Sequence, residues 1–149
     1  MKTLKYRKAD LEDIPALARL RGNNESGGSS EDRMRRYYAG THHPQQALLP
    51  RVILMAEEGG SPIGYIAGHL TRRFGCDGEL QWIYVLPKYR GSQIASEFLR
   101  ILAKWFVENK ALRICVDVGN EHARNFYKHH GAVGLNQYWL VWNDLSVVL

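Results

Sequence analysis

The chain has 149 residues, enough for one domain with a real core and too few for two ordinary ones. Hydrophobic residues make up 45% and charged residues 23%, an ordinary globular balance that excludes disordered and membrane-spanning classes. The net charge of +5 is dispersed (Lys2, Arg7, Arg33, Arg72, Lys88 and Arg90 among others) rather than gathered in one run. It suits an anionic ligand and is no argument for nucleic acid, since the stacking aromatics of RNA-binding sheets are not interleaved with it. The N-terminus has no apolar signal segment, and Cys76 and Cys115 lack a metal-ligand spacing. A cytoplasmic protein with two unremarkable thiols and no membrane partner is the expectation.

In chain order, Leu4, Tyr6 and Ala9 alternate as a short edge strand. Ile14, Leu17, Ala18 and Leu20 follow a helical period, with Asp13 a better cap than Asp10 because Pro15 belongs in the first turn. The Gly- and Ser-rich stretch Gly22–Ser30 reads as a mobile loop, after which Ser29 or Ser30 caps a helix through Tyr38 that Gly40 ends. His42-His43-Pro44 is a loop, with one helical turn near Gln45–Leu49. Val52–Ala56 is a buried strand, Glu57–Pro62 a hairpin turn and Ile63–Leu70 the returning strand. Gly75–Gly78 turns the chain into a third strand, Glu79–Leu86, which Pro87 stops.

A long helix follows from about Gly91 to Asn109, with Ile94, Phe98, Leu102 and Phe106 on one face. Leu112–Val118 is a strand. Glu121–His130 is a short helix, capped by Asn120 and closed by Gly131, and Ala132–Trp142 is strand-rich. The order β-α-α-β-β-β-α-β-α-β, with one further strand possible, is a mixed α/β layer over residues 1–149 as a single domain.

Two stretches carry chemistry. Leu80–Ala95 passes from a strand through a loop bearing Arg90-Gly91 straight into the long helix. Such a turn aims backbone N–H groups and the positive end of a helix dipole at one point, which suits a phosphate. Small residues at Gly91, Ser92, Ala95 and Ser96 permit close approach. A tight packing turn would use the same residues. In the second stretch, Asn120 ends a strand and starts the helix that carries Tyr127 two turns along. Half-buried packing and a plain cap are the bland alternatives.

Together these stretches resemble the GCN5-related N-acetyltransferase (GNAT) superfamily. Val85-x-Pro-x-Tyr-Arg90-Gly91 resembles its acyl-CoA motif, written Arg/Gln-x-x-Gly-x-Gly/Ala, and Asn120-x-x-Ala-x-x-Phe-Tyr127-x-x-x-Gly131 its second motif. One departure stands out: Gln93 occupies the place of a motif glycine. Its backbone N–H serves only if φ is negative, and its Cβ crowds the pyrophosphate.

The resemblance implies acetyl-CoA as co-substrate, no metal, and direct attack by an amine of a small molecule, peptide or protein. It implies that the main chain of Ile83, Tyr84 and Val85 meets the pantetheine arm and that Arg90, Gly91, Ser92, Gln93, Ile94, Ala95 and Ser96 cradle the pyrophosphate. Asn120, Asn125 and Lys128 would assist. Tyr127 matches the family's general acid. Glu79 matches a catalytic glutamate of some members, sharing a strand face with Gln81, which cannot act as a base. Glu79 pairing merely with Arg72 or Arg73 is the alternative, and His69 is a weaker base candidate. Glu25, Glu31 and Asp32 are placed to meet a cationic acceptor, with Tyr37, Tyr38 and Trp82 stacking on it. The histidine pairs His42-His43 and His129-His130 lack a third metal ligand. An acyl-CoA-binding sensor without activity competes on the strength of Gln93. A homodimer formed through the apolar segment Leu145–Leu149 is open, as is a last strand there.

Overall fold

A computed structural model describes residues 3–21, 27–41 and 47–149. Seven strands form one sheet in the order β1-β2-β3-β4-β5-β7-β6. In chain order the elements are β1 (Leu4–Lys8), α1 (Ile14–Leu20), α2 (Gly27–Ala39), β2 (Ala47–Glu58), β3 (Ser61–Thr71) and β4 (Gly78–Val85). Then come α3 (Ile94–Glu108), β5 (Ile114–Asp117), α4 (Glu121–His129), β6 (Val133–Gly134) and β7 (Trp139–Trp142). Every pairing is antiparallel except β4 with β5, the one pair joined by a crossover helix, α3.

Both faces of the sheet are covered, which explains the unbroken apolar run in β2. Val52, Leu54 and Ala56 join Phe98, Leu102 and Phe106 of α3 in one core cluster. Ile53 and Met55 alternate to the other face, under Ile14 and Leu17 of α1 and Met34 and Tyr37 of α2. Glycines let α3 lie close on the strands: a Cβ added to Gly78 would sit 2.5 Å from the Phe106 ring.

Four local expectations are corrected. Asp13 stands at the N-cap position of α1 with Pro15 in the first turn, as expected, but its side chain makes no capping bond there; the side-chain cap is Asp10, which accepts from Glu12 N–H in the preceding 3-10 turn over Leu11–Asp13. Asp13 closes the reciprocal half of that capping box and is held by Arg7 at 2.8 Å. Helix α2 begins at Gly27, upstream of the serines expected to cap it. Burial of Met34 and Tyr37 anchors it, and the weak propensities of Gly and Ser are overridden. Residues 22–26 of the expected loop, and with them Glu25, lie outside the described residues, as does His42–Gln46.

Ala47–Leu49 is strand, not a helical turn, because β3 is long enough to pair with it. The register slips between Leu48 and Arg51, where Pro50 has no N–H to give the ladder. The C-terminal segment is neither a strand nor a flat apolar tail. Leu145–Val148 is a 3-10 turn whose Leu145 is fully buried in the α3 cluster.

Candidate active site

The functional geometry begins where the sheet splits. β4 and β5 pair only from Gly78/Ile114 to Leu80/Val116. Beyond that point β4 stays with β3, while the chain after β5 follows β7: Asp117 pairs with Trp139, and Val118 N–H donates to Tyr138 O at 2.8 Å. The two strands are pulled apart by their other neighbours. Among the described residues, the edge of β4 from Gln81 to Val85 has no strand partner on that side. An extended chain carrying amides can pair there, as the pantetheine arm of a CoA thioester requires. Val85 is partly committed, since its carbonyl accepts from Arg90 Nε at 2.9 Å.

The split opens into a cleft of about 660 Å³ whose lining includes Glu79, Gln81, Ile83, Asn120, Tyr127 and Trp139. Asn120 caps α4 as expected, its Oδ1 accepting from Ala123 N–H at 2.8 Å, and it lines the cleft as well. Tyr127 is 4% exposed. Burial, and secondarily the charge of Asp117, push its phenol up to about 12. It keeps its proton throughout the neutral range.

A second hollow of about 270 Å³ lies beside the loop leading into α3, lined by Arg90, Gly91, Gln93, Ala95 and Ser96 together with His122 and Phe126. The first-turn N–H groups of α3 have no intrahelical acceptor, which is the anion-binding arrangement expected. Gly91 has φ 85° and open space where a Cβ would stand. Ser92 is tied back by its hydroxyl to Tyr89 O. The condition set for Gln93 is not met: its φ is 67°, in the left-handed region. Gln93 therefore adopts the conformation a glycine takes without strain, and the helix starts at Ile94 rather than Gly91. Loop shape is kept and the cost falls on the backbone.

Other site residues sort by burial. The Ile94 side chain is in the core, so only its main chain can face a ligand. Asn125 and Lys128 are exposed on α4 and line neither cleft, whereas His122 and Phe126, not singled out from sequence, line the smaller one. Their i, i+4 spacing on the helix after Asn120 was the available signal.

Glu79 is 4% exposed, and its Oε1 lies 3.2 Å from Arg73 Nε and 3.5 Å from His69 Nε2. The structural alternative for Glu79 is thus physically present, in a residue that also lines the cleft. The regular alternation that relates Glu79 to Gln81 is interrupted between them and Trp82. Ala67 pairs with Trp82 and Gly68 with Leu80, so Gln81 is the extra residue of a β-bulge. Across the bulge Trp82 shares the face of Glu79, and its ring meets Tyr37 at 4.8 Å. Gln81 still lines the cleft, with its Oε1 buried and unbonded.

Of the expected acceptor-binding acids, the two among the described residues are paired with arginines. Glu31 pairs with Arg35 at 2.7 Å and Asp32 with Arg36 at 3.0 Å. Tyr37 is fully buried, Tyr38 lines a different hollow, and only Trp82 of the three aromatics reaches the cleft. Arg21, at the end of α1, was not anticipated and lines it too. Among the described residues, no group of three His, Cys, Asp or Glu is arranged for a metal, and no helix is long and apolar enough to cross a membrane.

The fold recurs in solved structures. A GNAT-family protein from Desulfovibrio desulfuricans aligns with a TM-score of 0.77 at 14% identity, over 96% of this chain and 99% of that one. PaiA N-acetyltransferase from Thermoplasma acidophilum, in complex with coenzyme A, gives 0.68 at 16% identity over 95% and 99%. A GNAT acetyltransferase from Brucella melitensis, in complex with acetyl-CoA, gives 0.66 at 19% identity over 95% and 88%. No curated protein matches the chain. At these identities structural likeness shows the fold alone. The model of the acetyltransferase (GNAT) family, however, matches residues 15–132, which span both motifs and the split between β4 and β5. The chain belongs to the GNAT acetyltransferase family and is an acyltransferase.

Proposed function

We propose that the protein transfers the acetyl group of acetyl-CoA directly to a primary amine of a small molecule, peptide or protein, with residues 1–149 acting as one catalytic domain. The observation that carries this reading is the convergence of Tyr127 and Glu79 on the cleft where β4 and β5 part. The thioester supplies an activated acetyl group. In balance, R–NH3⁺ and acetyl-CoA give R–NH–CO–CH3, CoA–SH and a proton.

Glu79 takes a proton from the ammonium, directly or through one water, breaking N–H and forming O–H. The unbonded Oε1 of Gln81 is an acceptor for a remaining N–H of the same amine. Ile83, Tyr84 and the N–H side of Val85 hold the pantetheine arm, and residues 90–96 bind the pyrophosphate. Tyr127 faces the sulfur. A phenol near 12 is a weaker acid than a thiol near ~8.5, so full proton transfer to the thiolate is uphill. Tyr127 therefore acts mainly through a hydrogen bond that strengthens as charge develops on sulfur, and the second N–H proton, lost from the adduct as the C–S bond breaks, becomes the S–H of CoA.

One structural neighbour at 17% identity is a spermidine N-acetyltransferase chimera, which makes spermidine a sensible probe. The pairing of Glu31 and Asp32 with arginines gives no special support for a polycation, so the panel must be wider. CoA-thiol release should be measured with spermidine, an aminoglycoside, free amino acids and lysine-containing peptides. At least one amine is expected to turn over, with Glu79→Gln and Tyr127→Phe each lowering kcat by about 10- to 100-fold. Release that no amine raises above the hydrolysis background would contradict the reading.

A further inference from the structure

The base proposed above sits in a buried polar row that apolar packing does not require. Arg51 of β2, His69 of β3 and Glu79 of β4 are direct cross-strand partners, and Cys115 of β5 continues the row. His69 is 0% exposed on a sheet face otherwise packed by Ile53, Met55, Tyr65 and Ala67. Tyr37, also 0% exposed, descends from α2 and meets His69 Nδ1 through its hydroxyl at 2.8 Å. The other ring nitrogen, Nε2, lies 3.5 Å from Glu79 Oε1 and has no hydrogen-bond partner of its own. Buried imidazole, phenol and carboxylate groups are costly unless they satisfy one another. Here they form one line leading into the cleft.

Hydrogen-bond accounting selects a tautomer. Burial keeps the Tyr37 phenol well above its ordinary range and so protonated. A phenol O–H donating to a bare Nδ1 leaves the proton on Nε2, which faces the Glu79 carboxylate. The reverse tautomer would point a lone pair at that carboxylate. We propose that His69 is a positioning residue for the base: Tyr37 fixes its Nε2–H tautomer, and that N–H holds the Glu79 carboxylate aimed into the cleft. This rests on the reading of Glu79 as the base.

The remaining charged and titratable groups on this row are accounted for. The Arg51 guanidinium stands 5.1 Å from the centre of the Tyr37 ring, which favours a hydroxyl that donates. Arg73 approaches Glu79 from the β3–β4 turn and lies 4.6 Å from the centre of the Trp139 ring. Cys115, beside Glu79, has its thiol pushed far up by burial and carries no charge. The 3.5 Å contact is loose, as catalytic contacts often are before substrate closes the site.

The test needs no acceptor. In protein carrying 13C-carboxyl glutamate, the Glu79 resonance, assigned by its loss in Glu79→Gln, is titrated from pH 4 to 9. The titration is run in the native protein, in His69→Leu and in His69→Gln, which keeps an N–H near the Nε2 position. A lost donor destabilises the ionised form, so the His69→Leu midpoint should rise by about one pH unit, with His69→Gln close to native. Long-range 1H–15N correlations should show His69 as the Nε2–H tautomer, and Tyr37→Phe, which only removes a hydroxyl, should give a mixture. Equal midpoints in all three proteins, or an Nδ1–H tautomer in the native protein, would overturn the proposal. Unchanged turnover in Glu79→Gln would instead remove the base reading while leaving the titration result standing.

Discussion

Gln93 holds a full side chain at φ 67°, where a non-glycine residue costs about 1–2 kcal/mol. Its side chain is exposed, so the strain is backbone strain without a compensating contact in the core. Gln93→Gly relieves it but adds about 0.5–1 kcal/mol of unfolded-state entropy. The expected result is a small net stabilisation of about 0.5 kcal/mol in urea unfolding, with acetyl-CoA binding retained or tightened. Destabilisation by the glycine would mean that the left-handed turn is not strained. At the other end of the chain, Arg7 holds the Asp13 carboxyl down at about 2 through a two-pronged hydrogen bond. A depressed carboxylate contributes stability above its unfolded value near ~3.9, and that stability is lost as pH falls toward the folded value. Asp13→Asn should cost about 1 kcal/mol at pH 7, and the difference from the native protein should vanish between pH 4 and pH 2. A pH-independent difference would show that the ion pair is not its source.

Among the elements, the packing of α3 on β4 is the most exacting. A methyl group at Gly78 would overlap Phe106 and press on Ile114 at 2.9 Å, both of them core residues with nowhere to move. Gly78→Ala should therefore cost about 2 kcal/mol in denaturant unfolding, and a neutral result would show that α3 can lift from the sheet. The same elements show what could be read from sequence. The strand–loop–helix around Arg90 and the capped helix bearing Tyr127 are local patterns, and both stand where their residues placed them. The bulge at Gln81 was hidden because it depends on how β3 pairs, which no spacing within β4 records. The upstream start of α2, the pairing of Ala47–Leu49 and the burial of Tyr37 against His69 likewise follow from distant partners. Arg21 and Trp139 reach the cleft from α1 and β7, far from either motif.

At the scale of the whole molecule, function follows from a conflict of partners. β4 follows β3 and β5 follows β7, and the gap between them divides the seven-stranded sheet of the described residues. The second motif borders that gap through Asn120 and Tyr127, while the first leads from its β4 bank to the smaller hollow at Arg90, so a ligand filling both ties the two halves of the sheet together. Binding confined to the folded form must raise its stability, by about 2.7 kcal/mol at a hundredfold excess over Kd. The most direct measurement is thermal unfolding of the native protein with increasing acetyl-CoA. The account predicts a concentration-dependent rise in Tm of roughly 5–10 °C, reproduced by CoA but not by adenosine alone. An unchanged Tm at millimolar acetyl-CoA would contradict the assignment of the split between β4 and β5 as the acetyl-CoA site.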